Sequence, residues 1–134
     1  MRGRMFLVFM LVGIFMAGCN HDNQINEVPV IKQIKTFYPE DISTTDRIEI
    51  LSSNGERRKV ENKDRIRRWL DQIGELKVNV DTNPEDSSGV LFGISLFKGE
   101  NRILSLTPTS INGTAIHVNK VLTSLMFQLW DGSK

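Results

Sequence analysis

Val90-Leu91-Phe92-Gly93-Ile94-Ser95-Leu96-Phe97-Lys98 is followed by Gly99-Glu100-Asn101 and then by Arg102-Ile103-Leu104-Ser105-Leu106-Thr107. In the first run Val90, Phe92, Ile94 and Leu96 fall at every second position, the period of a strand with one face in a core. Leu91 and Phe97 fall on the opposite face, so the strand is expected to be central and covered in part on both sides. Gly99-Glu100-Asn101 supplies a hairpin turn, and Arg102 to Thr107 comes back as the antiparallel partner. Pro108 cannot donate to a ladder and marks the end of that strand or a sheet edge.

Elements of the same kind lie on either side of this hairpin. Upstream, Arg47-Ile48-Glu49-Ile50-Leu51 alternates charged and apolar residues as a half-buried strand does. Ser53-Asn54-Gly55 is a turn signal, and residues 56–60 return as a second strand. Asn62 is a good helix N-cap. Behind it Ile66, Trp69, Leu70 and Ile73 form one stripe of a helix that Gly74 is expected to end in the left-handed conformation. Leu76, Val78 and Val80 alternate as a further strand, and residues 81–89 are a loop by composition. Downstream, Asn112-Gly113 makes another turn, Thr114 to Val118 a short strand, and Asn119 caps a closing helix. That helix points Val121, Leu122, Leu125, Met126, Leu129 and Trp130 inward and stops at Gly132. The sum is an α+β fold: an antiparallel sheet with two helices packed on one face, a two-layer sandwich.

The two helix-bearing halves echo each other. Asn54-Gly55, Val60 and Asn62-Lys63 lead into a helix carrying Trp69-Leu70-Asp71; Asn112-Gly113, Val118 and Asn119-Lys120 lead into one carrying Leu129-Trp130-Asp131. An old duplication would produce this pattern. So would the recurring physics of turn and cap residues, and few positions match.

The amino terminus has a different character. Arg2 and Arg4 precede an apolar run from Met5 to Ala17, and Phe15-Met16-Ala17-Gly18 leads into Cys19, the only cysteine. The run is too short for a membrane-spanning helix, which needs about 20 residues, and fits the core of a signal peptide. The alternatives are an ordinary secretory signal with a chance cysteine, or a retained apolar terminus. The pattern resembles the lipobox of bacterial lipoproteins, with Met16 where leucine is commoner. That resemblance implies diacylglyceryl transfer to the Cys19 thiol, cleavage after Gly18, and an extracytoplasmic domain anchored to the cell membrane. Residues 1–18 then form the signal peptide, residues 19–35 a polar tether, and residues 36–134 one globular domain; Val28 to Ile34 reads as an early strand or a loosely packed segment. Together with Phe37-Tyr38-Pro39-Glu40-Asp41 and Gly89 to Phe97, the lipobox resembles the small lipoproteins of Gram-positive bacilli, the YhfM-like group. The resemblance implies a cell-envelope location and brings no catalytic residue with it.

Composition narrows the chemistry. Removing residues 1–18 takes away Arg2 and Arg4 and no acid, so the 17 Lys and Arg become 15 against 16 Asp and Glu. A near-neutral balance is no footprint for nucleic acid. The histidines are His21, in the tether, and His117, read as a sheet-surface or half-buried residue or as a general base or ligand. No serine sits in a Gly-x-Ser-x-Gly elbow, and a His-rich zinc site lacks its ligands. Asp81-x-Asn83-x-Glu85 begins like a calcium loop but has Asp86 and Phe92 where the hand needs glycine and glutamate. No catalytic residue, cofactor or metal is therefore expected.

Two surfaces remain as candidates. Arg57, Arg58, Lys63, Arg65 and Arg68 belong to a basic cluster that reads either as a patch for an anionic envelope surface or as a solvated helix face. The second face of the Val90–Lys98 strand, if uncovered, offers a groove for a strand or peptide. Trp69 and Trp130 lie on apolar stripes and are expected in the core. The leading expectation is a binding module whose partner is an envelope protein, peptide or polymer. An accessory or inhibitory protein acting on an envelope enzyme is the alternative, and a hydrolase using His117 is a third reading.

Overall fold

A computed structural model describes residues 28–85 and 92–133. The signal peptide, Cys19, His21, most of the tether and residues 86–91, which include Val90 and Leu91, lie outside the described residues. Eight strands and two helices follow in the order β1 Val30–Gln33, β2 Arg47–Ser52, β3 Arg57–Val60, α1 Lys63–Gly74, β4 Lys77–Val80, β5 Phe92–Lys98, β6 Asn101–Thr107, β7 Ser110–Ile111, β8 Thr114–Ala115 and α2 Lys120–Asp131. Two 3-10 turns, Ile34–Phe37 and Ile42–Thr44, link β1 to β2.

Six strands form an antiparallel sheet in the order β3-β2-β5-β6-β7-β8, and β1 pairs with β4 in a small second sheet. One bridge, Val80 to Ile116, joins the two, with the Asp81 N–H donating to the Ala115 carbonyl and the His117 N–H to the Asn79 carbonyl. The expected strand over 114–118 therefore ends at Ala115: the Ile116 N–H still donates to the Thr109 carbonyl, and His117 turns its N–H to β4.

The alternation read in the sequence sets the layers. Ile48, Ile50, Phe92, Ile94, Leu96, Leu104 and Leu106 are buried on one sheet face, against Ile66, Trp69, Leu70 and Ile73 of α1 and Leu122, Met126 and Leu129 of α2. This is the two-layer α+β arrangement. Arg47, Glu49, Leu51, Gly93, Ser95, Phe97 and Ser105 point the other way, and no described element covers them. The expected partial cover of β5 on both faces is thus absent among the described residues. Phe97 owes its partial burial to neighbours on its own sheet, with Arg47 over its ring at 4.5 Å.

Both predicted caps form. The Asn62 side chain accepts from the Arg65 N–H at 2.9 Å, and that of Asn119 from Val121 and Leu122 at 3.0 Å each while donating to the Lys77 carbonyl. Asn112 and Gly113 both take positive φ, 49° and 83°, as a two-residue hairpin of the primed type requires.

Three further expectations are corrected. Gly74 is not left-handed: α1 continues through it to Glu75, which has φ −80° and ψ −13°. Its lack of a side chain serves packing, because a Cβ there would stand 3.4 Å from the Tyr38 ring and hydroxyl. Val121 faces solvent, since Asn119 starts the helix at a phase that turns Leu122, not Val121, to the sheet. The globular unit begins before residue 36, because β1 pairs with β4 and Ile34 is fully buried in the core.

Candidate functional site

Where the chain leaves β1, its two 3-10 turns run beside α1 without closing on it. Tyr38 is the contact point. Its hydroxyl donates to the Leu70 carbonyl at 2.9 Å and its ring rests against Gly74. Burial, and secondarily the Asp71 carboxylate, push the phenol well above its ordinary range. Tyr38 is therefore neutral at any physiological pH. Above about pH 10, where the unfolded chain would ionise and the folded one would not, the fold loses stability.

Beyond Tyr38 the two segments part, leaving a cleft of about 560 Å³. Tyr38, Ile42, Ile66 and Leu70 give it an apolar floor. Lys63, Arg67, Asp71 and Glu75, four residues apart along α1, form one wall, and Ser43, Thr44, Thr45, Asp46 and Lys98 line the opposite side. Lys35 pairs with Glu75 at 3.1 Å, and Asp46 accepts the Gly99 N–H at 2.8 Å. Lys63, Arg67, Lys98 and Asp71 make no ion pair or side-chain hydrogen bond among the described residues. The cleft is of a size that suits a small ligand, with charged and hydroxyl side chains set around an apolar floor.

The basic cluster is continuous in sequence and scattered in space. Arg58 donates to the carbonyls of Trp130 and Ser133 at 2.9 and 3.1 Å and stacks over the Trp130 ring at 3.7 Å. Arg65 donates to Gly132 and Leu129 carbonyls at 2.6 and 3.2 Å. Two guanidinium groups thus close the carboxyl end of α2, where unpaired carbonyls and the helix dipole favour cations. A side chain at Gly132 would collide with the Arg65 head group, so that glycine is part of the same closure. Reversing the charge of Arg65 would uncap α2 and so reports on folding rather than on a ligand. Arg57 lies on the bare sheet face, Lys63 at the cleft, and Arg68 in solvent beside Gln72 and Gln128.

Trp69 is buried and Trp130 half-buried, its ring edge-on to Phe92 at 5.6 Å. His117 is exposed, with Nε2 4.0 Å from the Asp81 carboxylate, beyond hydrogen-bond reach. That is the geometry of a surface ion pair on protonation, and Asp81 also accepts the Asn83 N–H at 3.0 Å, as a turn-forming aspartate does. Among the described residues, no group of three or more His, Cys, Asp or Glu side chains converges. No described helix is long and apolar enough to cross a membrane.

The bare sheet face holds a groove of about 390 Å³, floored by Gly93, Ser95 and Ser105 and flanked by Leu51, Arg57, Phe97 and Arg102. Gly93 sits inside a central strand, where glycine weakens a sheet. Its φ is not positive, and a Cβ built on it meets nothing within 4 Å. Gly93→Val is therefore expected to raise stability by about 0.5–1 kcal/mol, read by urea unfolding, because it lowers the entropy of the unfolded chain and adds a cross-strand contact with Leu51. Destabilisation by the valine would mean that the face is covered.

The cleft went unseen in the sequence because its apolar half comes from a segment with no period, residues 37–46. The signal that was present is the i, i+4 charge row on α1 next to the apolar stripe. Compared with protein families, curated proteins and solved structures, the chain gives no significant match.

Proposed function

We propose that this chain is a binding module of the cell envelope, anchored through a lipid on Cys19 at the outer face of the membrane, and that it holds its ligand in the cleft beside α1. The observation that supports the binding role is the cleft itself: charged side chains without ion partners stand around an open apolar floor. The anchor rests on the lipobox pattern that ends in Cys19. The ligand class is a protein, peptide or envelope polymer that presents apolar and charged groups together. The groove over Gly93 favours a second reading, in which an extended segment lies across the sheet face between Arg57 and Arg102.

Photocrosslinking in cells separates these readings. A benzophenone-bearing residue in place of Ser43, which is exposed and lines the cleft, is expected to give a discrete adduct. The same residue in place of Ser124, on the exposed side of α2, is expected to give none. An adduct only from the position of Ser95 moves the site to the sheet face. Equal labelling from positions 43 and 124 removes the cleft as a site.

A further inference from the structure

Helix α1 carries its cleft-facing charges in the wrong order for a helix. A helix favours acids at its amino end and cations at its carboxyl end. Along the cleft, Lys63 occupies the first helical position and Arg67 follows one turn later, while Asp71 lies in the last turn and Glu75 at the C-cap. The last turn contains no basic residue. Arg67 and Asp71 are four apart, yet they make no ion pair, and cation before acid is the weaker orientation for such a pair. Each of these placements works against the isolated helix, and all of them face one cleft.

What the order does provide is a dipolar wall. The amino end of the cleft holds Lys63, Arg67 and Lys98 against Asp46, one of whose oxygens is already committed to the Gly99 N–H. Farther along, Asp71 is unpaired and Glu75 is neutralised by Lys35. Between the poles lie Ile66 and Leu70, with Ile42 and Tyr38 across from them. A ligand complementary to this surface carries an anion at one end, a cation at the other and an apolar body between.

We infer that the cleft takes a short zwitterionic peptide of apolar residues, with its carboxylate toward Lys63, Arg67 and Lys98 and its ammonium toward Asp71. The spacing sets the length. Arg67 to Asp71 is one helical step of about 6 Å and Lys63 to Asp71 about 12 Å at 1.5 Å per residue. Extended peptide covers about 3.3–3.6 Å per residue, so the span corresponds to two to four residues. This assignment rests on the cleft being the ligand site and names what it binds.

The test uses the full lipidated chain in vesicles, with empty vesicles as the blank, titrated calorimetrically with leucyl-alanyl-leucine. Saturable 1:1 binding is expected. Acetylating the peptide's amine or amidating its carboxylate should each weaken binding at least tenfold. Asp71→Asn should remove the penalty of acetylation and leave that of amidation. The double variant K63E/D71K restores the order a helix prefers, so it should melt at a higher temperature than the parent and lose the peptide. Blocked peptides that bind as well as the free one, decanoate that binds as tightly as the peptide, or the absence of saturable binding would each overturn the assignment. If the peptide fails while the adduct from position 43 persists, the cleft remains the site and only the ligand class falls. Loss of both removes the site.

Discussion

Trp69→Ala is expected to cost about 3–5 kcal/mol of folding free energy, the range for truncating a large buried aromatic. Trp69 is only 4% exposed, on the side of α1 that meets α2, and its indole N–H donates to the Leu125 carbonyl at 3.1 Å. Alanine there leaves a cavity between the two helices and removes the indole hydrogen bond that ties α1 to α2. Single domains are stable by about 5–15 kcal/mol, so one change removes roughly a fifth or more of the margin. Trp69→Phe keeps most of the apolar volume and loses the hydrogen bond, so about 1–2 kcal/mol is expected from it. Urea unfolding of the pair separates packing from hydrogen bonding. A loss below about 1 kcal/mol in the alanine variant would mean that the helices do not depend on this contact.

The duplicated look of the sequence takes on meaning beside this result. Trp69 and Trp130 occupy similar places in the two helices and have different environments. Trp69 reaches from α1 to the backbone of α2. Trp130 receives Arg58 on its face and Phe92 at its edge and stays half-buried. Arg58, Arg65 and Trp69 all donate to carbonyls of α2 or the residues just after it. Any equivalence of the halves is confined to turns and caps, the parts whose local physics recurs in unrelated chains.

Period and punctuation made the frame legible. Alternation in residues 47–51 and 92–97, the Asn-Gly steps and the two capping asparagines each act over a few residues, and each led to the observed element. What stayed hidden depends on partners distant in sequence. Gly74 looked like a helix terminator because glycine commonly is one; its actual neighbour is Tyr38, 36 positions away in the chain. Val30 to Ile34 lacked a long enough pattern to reveal that β4 completes its pairing. The basic cluster misled for the same reason. Spacing along the chain could not show that Arg58 and Arg65 are committed to the end of α2, while Lys63 and Arg67 remain available at the cleft. For the candidate site, Lys63 was legible as a cation and not as half of a dipolar wall.

On the proposed lipoprotein reading, Cys19→Ala removes the thiol that accepts the diacylglyceryl group, so incorporation of labelled palmitate should fall to background. The lipobox resemblance implies that cleavage follows lipidation, so the variant should persist as the longer precursor with residues 1–18 attached. The apolar run Met5–Ala17 is shorter than a span, and about 0.8 kcal/mol per buried CH2 from two acyl chains is the anchoring energy lost. Folding of the domain should be untouched, because among the described residues every core residue lies at or beyond Ile34. Urea midpoints of the Cys19→Ala and parent chains should therefore coincide while their fractionation differs. Unchanged palmitate labelling would refute the anchor and leave the cleft argument standing, since none of the residues lining it is closer to Cys19 in sequence than Lys35.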